Sequence, residues 1–287
     1  MAKQTESQTS RSLRDLLAHP EPLVVPGIYD GITARAASMI GFDALYIGSY
    51  GATTTLYGIP DTGYLGLQDM VSVVSRLVPL IDAPLIVDGE GGFGNPLHVG
   101  RTIRELERAG ANAIHIEDHD FGKHIINAPR VTPLNTMLDK LKAALDARES
   151  EDTLIIGRTD SAGSLGVDEA FDRAAAFESV GADAVFIAAE ADETWINRRQ
   201  QLGTPLITIN RDGYTAKKLG AFGVDAVLYW GTTQFAAQQA AIRTLATLRE
   251  AQSLTDLESA GLPTMRESDE FFGIEQVHEL AVAFDLL

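Results

Sequence analysis

Apolar residues recur along this chain in two alternating rhythms. Short runs bounded by glycine and acidic residues, such as Pro84-Leu85-Ile86-Val87, predict strands. Longer stretches at 97–109, 167–180 and 232–249 place apolar residues three and four apart and predict amphipathic helices. The two are joined by a repeated phrase: Gly41-Phe42-Asp43-Ala44-Leu45, Gly110-Ala111-Asn112-Ala113-Ile114, Gly181-Ala182-Asp183-Ala184-Val185 and Gly223-Val224-Asp225-Ala226-Val227. A glycine that ends a helix, a polar turn residue and then a β-rich run is the junction expected between helix and strand in alternating units.

Eight strands are predicted, at 23–26, 44–48, 85–88, 113–117, 154–158, 184–188, 206–210 and 226–230. Eight parallel strands with helical crossovers fit an α/β fold of the (β/α)8 TIM-barrel kind better than a doubly wound sheet. No Gly-x-Gly-x-x-Gly follows the first strand, which removes the main sign of a dinucleotide site. The expected division is a catalytic barrel with its N-terminal lead-in over residues 1–250 and a helical tail over 251–287. Residues 1–15 carry no assigned function. The apolar face of the tail needs cover, either from its own barrel or from a neighbouring subunit.

Composition narrows the class. With 287 residues and 45% hydrophobic content, one large barrel has ample core. Cysteine is absent, so disulfides, thiolate metal sites and a cysteine nucleophile are excluded. A formal charge of −17, from 40 acidic against 23 basic residues, argues against nucleic acid or an anionic membrane surface as partner. An anionic small substrate would then need a local positive site. No apolar run approaches the roughly 20 residues of a spanning helix, and the first 14 residues hold no signal core, so a cytoplasmic protein is expected.

The chemistry concentrates at the predicted strand ends. In Val87-Asp88-Gly89-Glu90-Gly91-Gly92-Phe93-Gly94 an apolar strand runs straight into two carboxylates and then glycines. Asp88 and Glu90 are two apart, so in extended backbone they would share a face and converge on one hard cation. In a barrel, Ser49, Asp88, Glu90, Glu117, Arg158 and Asn210 would all face the mouth where such enzymes keep their chemistry. That set describes a divalent metal site beside an anion clamp. The competing reading is that single members cap helices or join ion pairs between layers.

These residues resemble the isocitrate lyase and phosphoenolpyruvate mutase superfamily. The resemblance runs from about Leu23 to Trp230. It rests on Pro26-Gly27-x-Tyr29-Asp30, Gly48-Ser49, Pro60-Asp61, Val87-Asp88-x-Glu90-x-Gly92-x-Gly94, Ile116-Glu117-Asp118 and Arg158-Thr159-Asp160, in that order. It implies a Mg²⁺-dependent enzyme, with Mn²⁺ as a substitute, that makes or breaks a C–C or C–P bond through an enolate-type intermediate. By position, Asp88 would be the most direct metal ligand and Glu90 and Glu117 would hold the metal's waters. Asp61 would be a catalytic or supporting carboxylate, and Arg158 would clamp substrate oxygens. Ser49 with the amides of Tyr50 and Gly51 would bind the substrate carboxylate, with Tyr46 and Asn210 also placed at the substrate. The family's assembly implies a homotetramer built from dimers, its last helices packed on or swapped with a neighbour.

Departures from the family pattern shape the expected substrate. Isocitrate and methylisocitrate lyases carry Lys-x-Cys-Gly-His after the Ile-Glu-Asp strand, and the mutase branch carries Lys-Thr-Asn-Ser. This chain reads Phe121-Gly122-Lys123-His124-Ile125-Ile126-Asn127, with Ile125 in place of the cysteine. Lys123 and His124 are the residues expected closest to the chemistry from this loop. Glu90 replaces the usual aspartate, and Ala188 stands where lyases have glutamate and the mutase has histidine on the sixth strand. His115, alternating with Ile114 and Ile116, is either a hydrogen-bonded core histidine or a barrel-interior histidine near the metal. The expected activity is cleavage of a small 2-hydroxy or 2-oxo dicarboxylate, with oxaloacetate-type substrates needing no cysteine proton. Phosphonopyruvate or phosphoenolpyruvate chemistry is the alternative, and a non-catalytic metabolite-binding barrel a lesser one.

Overall fold

The computed structural model describes residues 11–120, 125, 130–253, 255 and 261–286. The chain divides into two compact units, Met1–Thr233 and Gln234–Leu287. In the first, eight parallel strands form one sheet: β1 Leu23–Pro26, β2 Leu45–Ile47, β3 Leu85–Asp88, β4 Ala113–Glu117, β5 Leu154–Thr159, β6 Ala184–Ile187, β7 Leu206–Ile209 and β8 Ala226–Tyr229. Their order is β1-β8-β7-β6-β5-β4-β3-β2. The ends of that order meet where Gly27 bridges Tyr46 and the Ile28 amide donates to the Tyr46 carbonyl at 2.8 Å. The sheet therefore curls into the expected (β/α)8 barrel, and every strand matches its predicted range to within a residue or two.

Period-two alternation sorts the strand residues into two cores. Outward residues such as Ile47, Val87, Ile114, Ile116 and Val185 pack with the helices. Inward residues such as Val25, Tyr46, Ile86, Ile156, Phe186 and Leu228 fill the barrel. The helices stop where the sequence predicted. Gly41, at φ 83°, closes helix Gly31–Ile40 in the left-handed conformation, and the junction glycines Gly110, Gly181 and Gly223 also hold positive φ. At helix starts, Asp30 and Thr33 cap each other reciprocally, and Asn95 precedes a proline at the first helical position.

The lead-in, open from the sequence to a mobile or a helical form, holds a short helix, Leu13–Leu17, in which Leu13, Leu16 and Leu17 show helical spacing. All three are buried with the barrel-interior residues. Arg14 on the same helix donates to the Glu151 carbonyl and pairs with Asp183 at 2.8 Å, just ahead of β5 and β6. The helix thus closes the N-terminal end of the barrel. Replacing Leu17 with Ala is expected to destabilise this unit by about 2–5 kcal/mol in urea unfolding, because the cavity cannot collapse between strands fixed by the sheet.

The second unit contains most of helix Thr232–Ala251, then Met265–Phe271 and Ile274–Ala283. Thr264 and Glu267 form a capping box at the start of Met265–Phe271. Val277, Leu280 and Phe284 are exposed. Among the described residues no helix is long and apolar enough to cross a membrane.

Candidate active site

The polar strand ends gather at the C-terminal mouth of the barrel. After β2 the chain turns directly into helix Ser49–Tyr57, with Gly48 at the cap position and no side-chain capping bond. A Cβ on Gly48 would sit 2.8 Å from the Tyr46 ring, so this close approach needs glycine. The turn aims the helix N-terminus at the mouth, where Ser49, Tyr50 and Gly51 line a cavity of about 380 Å³ with Asp61, Asp88 and Arg158. Asp88, at the end of β3 and 2% exposed, is the hub. One of its oxygens accepts from the Ser49 amide at 3.1 Å and lies 2.9 Å from Ser49 Oγ; its other oxygen accepts from the Glu90 amide at 2.8 Å. Ser49 Oγ is also 3.1 Å from Asp61, which is buried beside the cavity.

Glu90 is placed differently from the expectation of a shared strand face. β3 ends at Asp88 and the backbone turns at once, with Glu90 in the left-handed region at φ 51°. The Glu90 amide caps Asp88 and its carbonyl accepts from the Glu117 amide at 2.9 Å. Its side chain lines a second cavity, of about 530 Å³, together with Glu117, His119, Asp120 and Lys140. The residue beside Asp88 on the barrel interior is His115 instead. It is fully buried, its Nδ1 lies 3.7 Å from Asp88 Oδ1, and its Nε2 is 3.1 Å from the Tyr46 hydroxyl. His115 is thus a hydrogen-bonded core residue in the barrel interior that borders the acids.

Asp88, His115 and Glu117 offer ligand atoms that all lie within 4.8 Å of one another. Two carboxylates and an imidazole, buried together where an uncompensated charge is costly, fit a divalent metal ion. The cluster sits between the two cavities, with Asp88 on the first and Glu117 on the second.

Arg158 joins the cluster from β5. Its Nη1 lies 3.0 Å from Glu117 and 3.7 Å from Asp88, and its Nε and Nη2 both reach Asp160 at 2.9 Å. Burial works against the guanidinium charge, but Asp160, Glu117 and Asp88 outweigh it and hold the pKa well above its ordinary value. Asp160 was not singled out from the sequence, yet it accepts the bidentate fork expected to face substrate.

Asp160 is itself held from behind. Asp118, fully buried, accepts from the Asp160 amide at 3.0 Å, from Thr159 Oγ1 at 2.7 Å and from Arg173 at 3.1 Å. Burial pushes the Asp118 carboxyl upward, and those bonds oppose the shift. Removing one partner of a buried pair strands the other. Arg173→Met is therefore expected to cost about 3–5 kcal/mol of stability in urea unfolding.

Lys140 was likewise missed, although it falls on the buried face of helix Leu134–Ala147 with Met137, Leu141 and Ala144. Its ammonium donates to the Gly91 carbonyl at 2.8 Å, pinning the glycine turn after Asp88. Burial lowers its pKa, against the pull of Glu117, Asp120 and Asp118.

Tyr46, Ser49, Tyr50, Gly51, Asp61, Asp88 and Arg158 are thus brought to one cavity, and Glu90 and Glu117 to its neighbour. Asn210 follows β7, where its amide donates to the Leu228 carbonyl; Ile209, not Asn210, lines the first cavity. Lys123 and His124 lie outside the described residues. Ile125 is exposed.

A (β/α)8 barrel whose mouth combines buried acids, an arginine and a helix N-terminus defines an enzyme class whose site suits small anions beside a cluster able to hold a divalent metal. The family model described as phosphoenolpyruvate phosphomutase matches residues 13–249. The chain is similar to 2,3-dimethylmalate lyase of Eubacterium barkeri, at 31% identity over 281 residues that cover 95% of this chain and 96% of that protein. It is also similar to 2-methylisocitrate lyase of Shewanella oneidensis, at 32% identity over 243 residues covering 82% and 83%. A solved structure of oxaloacetate acetylhydrolase with the inhibitor 3,3-difluorooxalacetate superposes with a TM-score of 0.86 at 28% identity, covering 96% of this chain and 97% of that one. The chain belongs to the isocitrate lyase and phosphoenolpyruvate mutase superfamily. Within it, the protein is a carbon–carbon lyase.

Proposed function

We propose that the protein is a Mg²⁺-dependent lyase that cleaves a C–C bond of a small 2-hydroxy or 2-oxo dicarboxylate through an enolate-type intermediate. The observation that carries this reading is the convergence of Asp88, Glu117 and Arg158 beside a 380 Å³ cavity. That volume lies at the small end of ligand sites, which span about 300–1,000 Å³. Two of the relatives point the same way, since they are named for acting on the diacids dimethylmalate and oxaloacetate.

Oxygen-rich donors favour a hard cation. Asp88 and Glu117 would hold Mg²⁺, with Glu90 reaching its waters from the second cavity. When bound, the ion supplies a Lewis acid where negative charge develops on substrate oxygen. The start of helix Ser49–Tyr57 receives a substrate carboxylate, because backbone N–H groups and the helix dipole favour an anion there. Arg158, held in place by Asp160, keeps a fixed positive charge beside that carboxylate. Asp61, which lines the cavity, would take the proton of a substrate hydroxyl as the C–C bond breaks and that bond's electron pair passes to the departing carbon. Lys123 and His124 are the proposed acids that return a proton there. In the second unit, exposed Val277, Leu280 and Phe284 support burial against another copy in a homotetramer, which light scattering tests: a monomer at working concentration overturns it.

The test is a panel of 2-oxo and 2-hydroxy dicarboxylates with Mg²⁺ or Mn²⁺, scored for pyruvate, glyoxylate, oxalate and CO₂. Metal-dependent release of such products is expected. Phosphate release from phosphonopyruvate with no diacid cleaved would overturn the assignment.

A further inference from the structure

The first cavity has two unlike halves. Ser49, Asp61, Asp88 and Arg158 come from the β2, β3 and β5 side, whereas the β6, β7 and β8 side supplies Phe186, Ala188, Ile209, Leu228 and Trp230. Among the described residues Arg158 is the only cation lining it, against the carboxylates of Asp61, Asp88 and Asp160. Its guanidinium is already engaged by Asp160 and Glu117, and its flat face lies over Phe186, 5.1 Å from the ring centroid. The wall is also braced: Trp230 meets Tyr50 edge-on at 5.1 Å between centroids. Among the described residues that side holds no cation, so a carboxylate pressed against it would lose water and gain no counter-charge from them, while an alkyl group would lose only water.

From this asymmetry we infer that the β6–β8 wall makes the enzyme selective for diacids carrying alkyl substituents next to the reacting carbon, and against tricarboxylates. The inference rests on the lyase reading for the orientation of the substrate, with its reacting end at Asp88 and Arg158. Ala188 is the decisive position. It follows β6, on the flank of the wall nearest Arg158 of β5, and its methyl group leaves room for a substituent without offering any side-chain polar partner.

The test uses ligands that cannot be cleaved, so binding is read apart from chemistry. Succinate, 2-methylsuccinate, 2,3-dimethylsuccinate and propane-1,2,3-tricarboxylate are titrated calorimetrically into the full chain with Mg²⁺. Affinity is expected to rise about fourfold per methyl group, the return for burying one such group. The tricarboxylate is expected to bind at least about tenfold more weakly than succinate. Ala188→Lys, which places an ammonium on the wall, is expected to reverse that order; should it fail to fold, the series on the unaltered protein decides alone. A flat series, a tricarboxylate preference or no binding by any of the four overturns the wall's role. A flat series alongside turnover in the diacid panel overturns it while leaving the lyase reading standing. An ordered series with no diacid turned over does the reverse.

Discussion

Replacing Asp88 with Asn is expected to lower turnover by about 10³-fold or more, the scale of losing a preorganised group that stabilises transition-state charge. The same change should abolish the rise in melting temperature that Mg²⁺ gives the unaltered protein. A ion bound only by the folded state stabilises it by mass action, so a lost thermal shift reports lost binding without reference to any substrate. Asparagine is the informative replacement. Asp88 accepts from the Ser49 amide, Ser49 Oγ and the Glu90 amide; with alanine Ser49 Oγ keeps Asp61, but both amides lose their acceptor, whereas the asparagine oxygen can still accept from Ser49. Each such orphan costs about 1–3 kcal/mol, so Asp88→Ala should reduce stability as well as activity. Loss of activity with the Mg²⁺ shift intact would move the metal away from Asp88.

Most of the barrel was legible because its signals are local. Glycine junctions such as Gly41 and Gly223 end helices by backbone conformation, and runs such as Leu85-Ile86-Val87 carry strand character in themselves. The mouth was legible wherever a polar residue closed such a run, as with Asp88, Glu117 and Arg158. The failures share one physical origin, a dependence on direction after the strand has ended. Glu90 lies two residues beyond Asp88, the spacing of a shared face, but its left-handed φ of 51° sends the side chain to the other cavity. Asp160 sits two beyond Arg158, yet its pairing with that arginine depends on Asp118 and Arg173, which arrive from β4 and from helix Val167–Ser179. Lys140 could have been found, since a lysine on the apolar face of an amphipathic helix is seldom idle. The apolar wall could not, because Phe186, Ile209 and Leu228 read as ordinary strand interior until the sheet closes.

Arg158→Met is expected to be the most damaging single change at the mouth, in stability as well as in activity. The guanidinium is the shared counter-charge of Asp160, Glu117 and Asp88, and its side chain is only 13% exposed. Methionine of similar length fills the space and removes the charge, leaving three clustered carboxylates to repel one another in a poorly solvated site. Stranding one buried partner already costs about 3–5 kcal/mol, so urea unfolding should show a loss at least that large. Lysine is not a conservative substitute, because a single ammonium cannot span Asp160 and Glu117 as the planar fork does. The decisive control is the metal. If Asp88 and Glu117 hold a divalent ion, Mg²⁺ should restore part of the lost stability by supplying positive charge to the same carboxylates, and should stabilise the variant more than the unaltered protein. Turnover should stay low even so, because the ion replaces the charge that arginine gave the acids and not the one it offers the substrate. Equal stabilisation of both proteins by Mg²⁺ would show that the ion and Arg158 do not share those carboxylates.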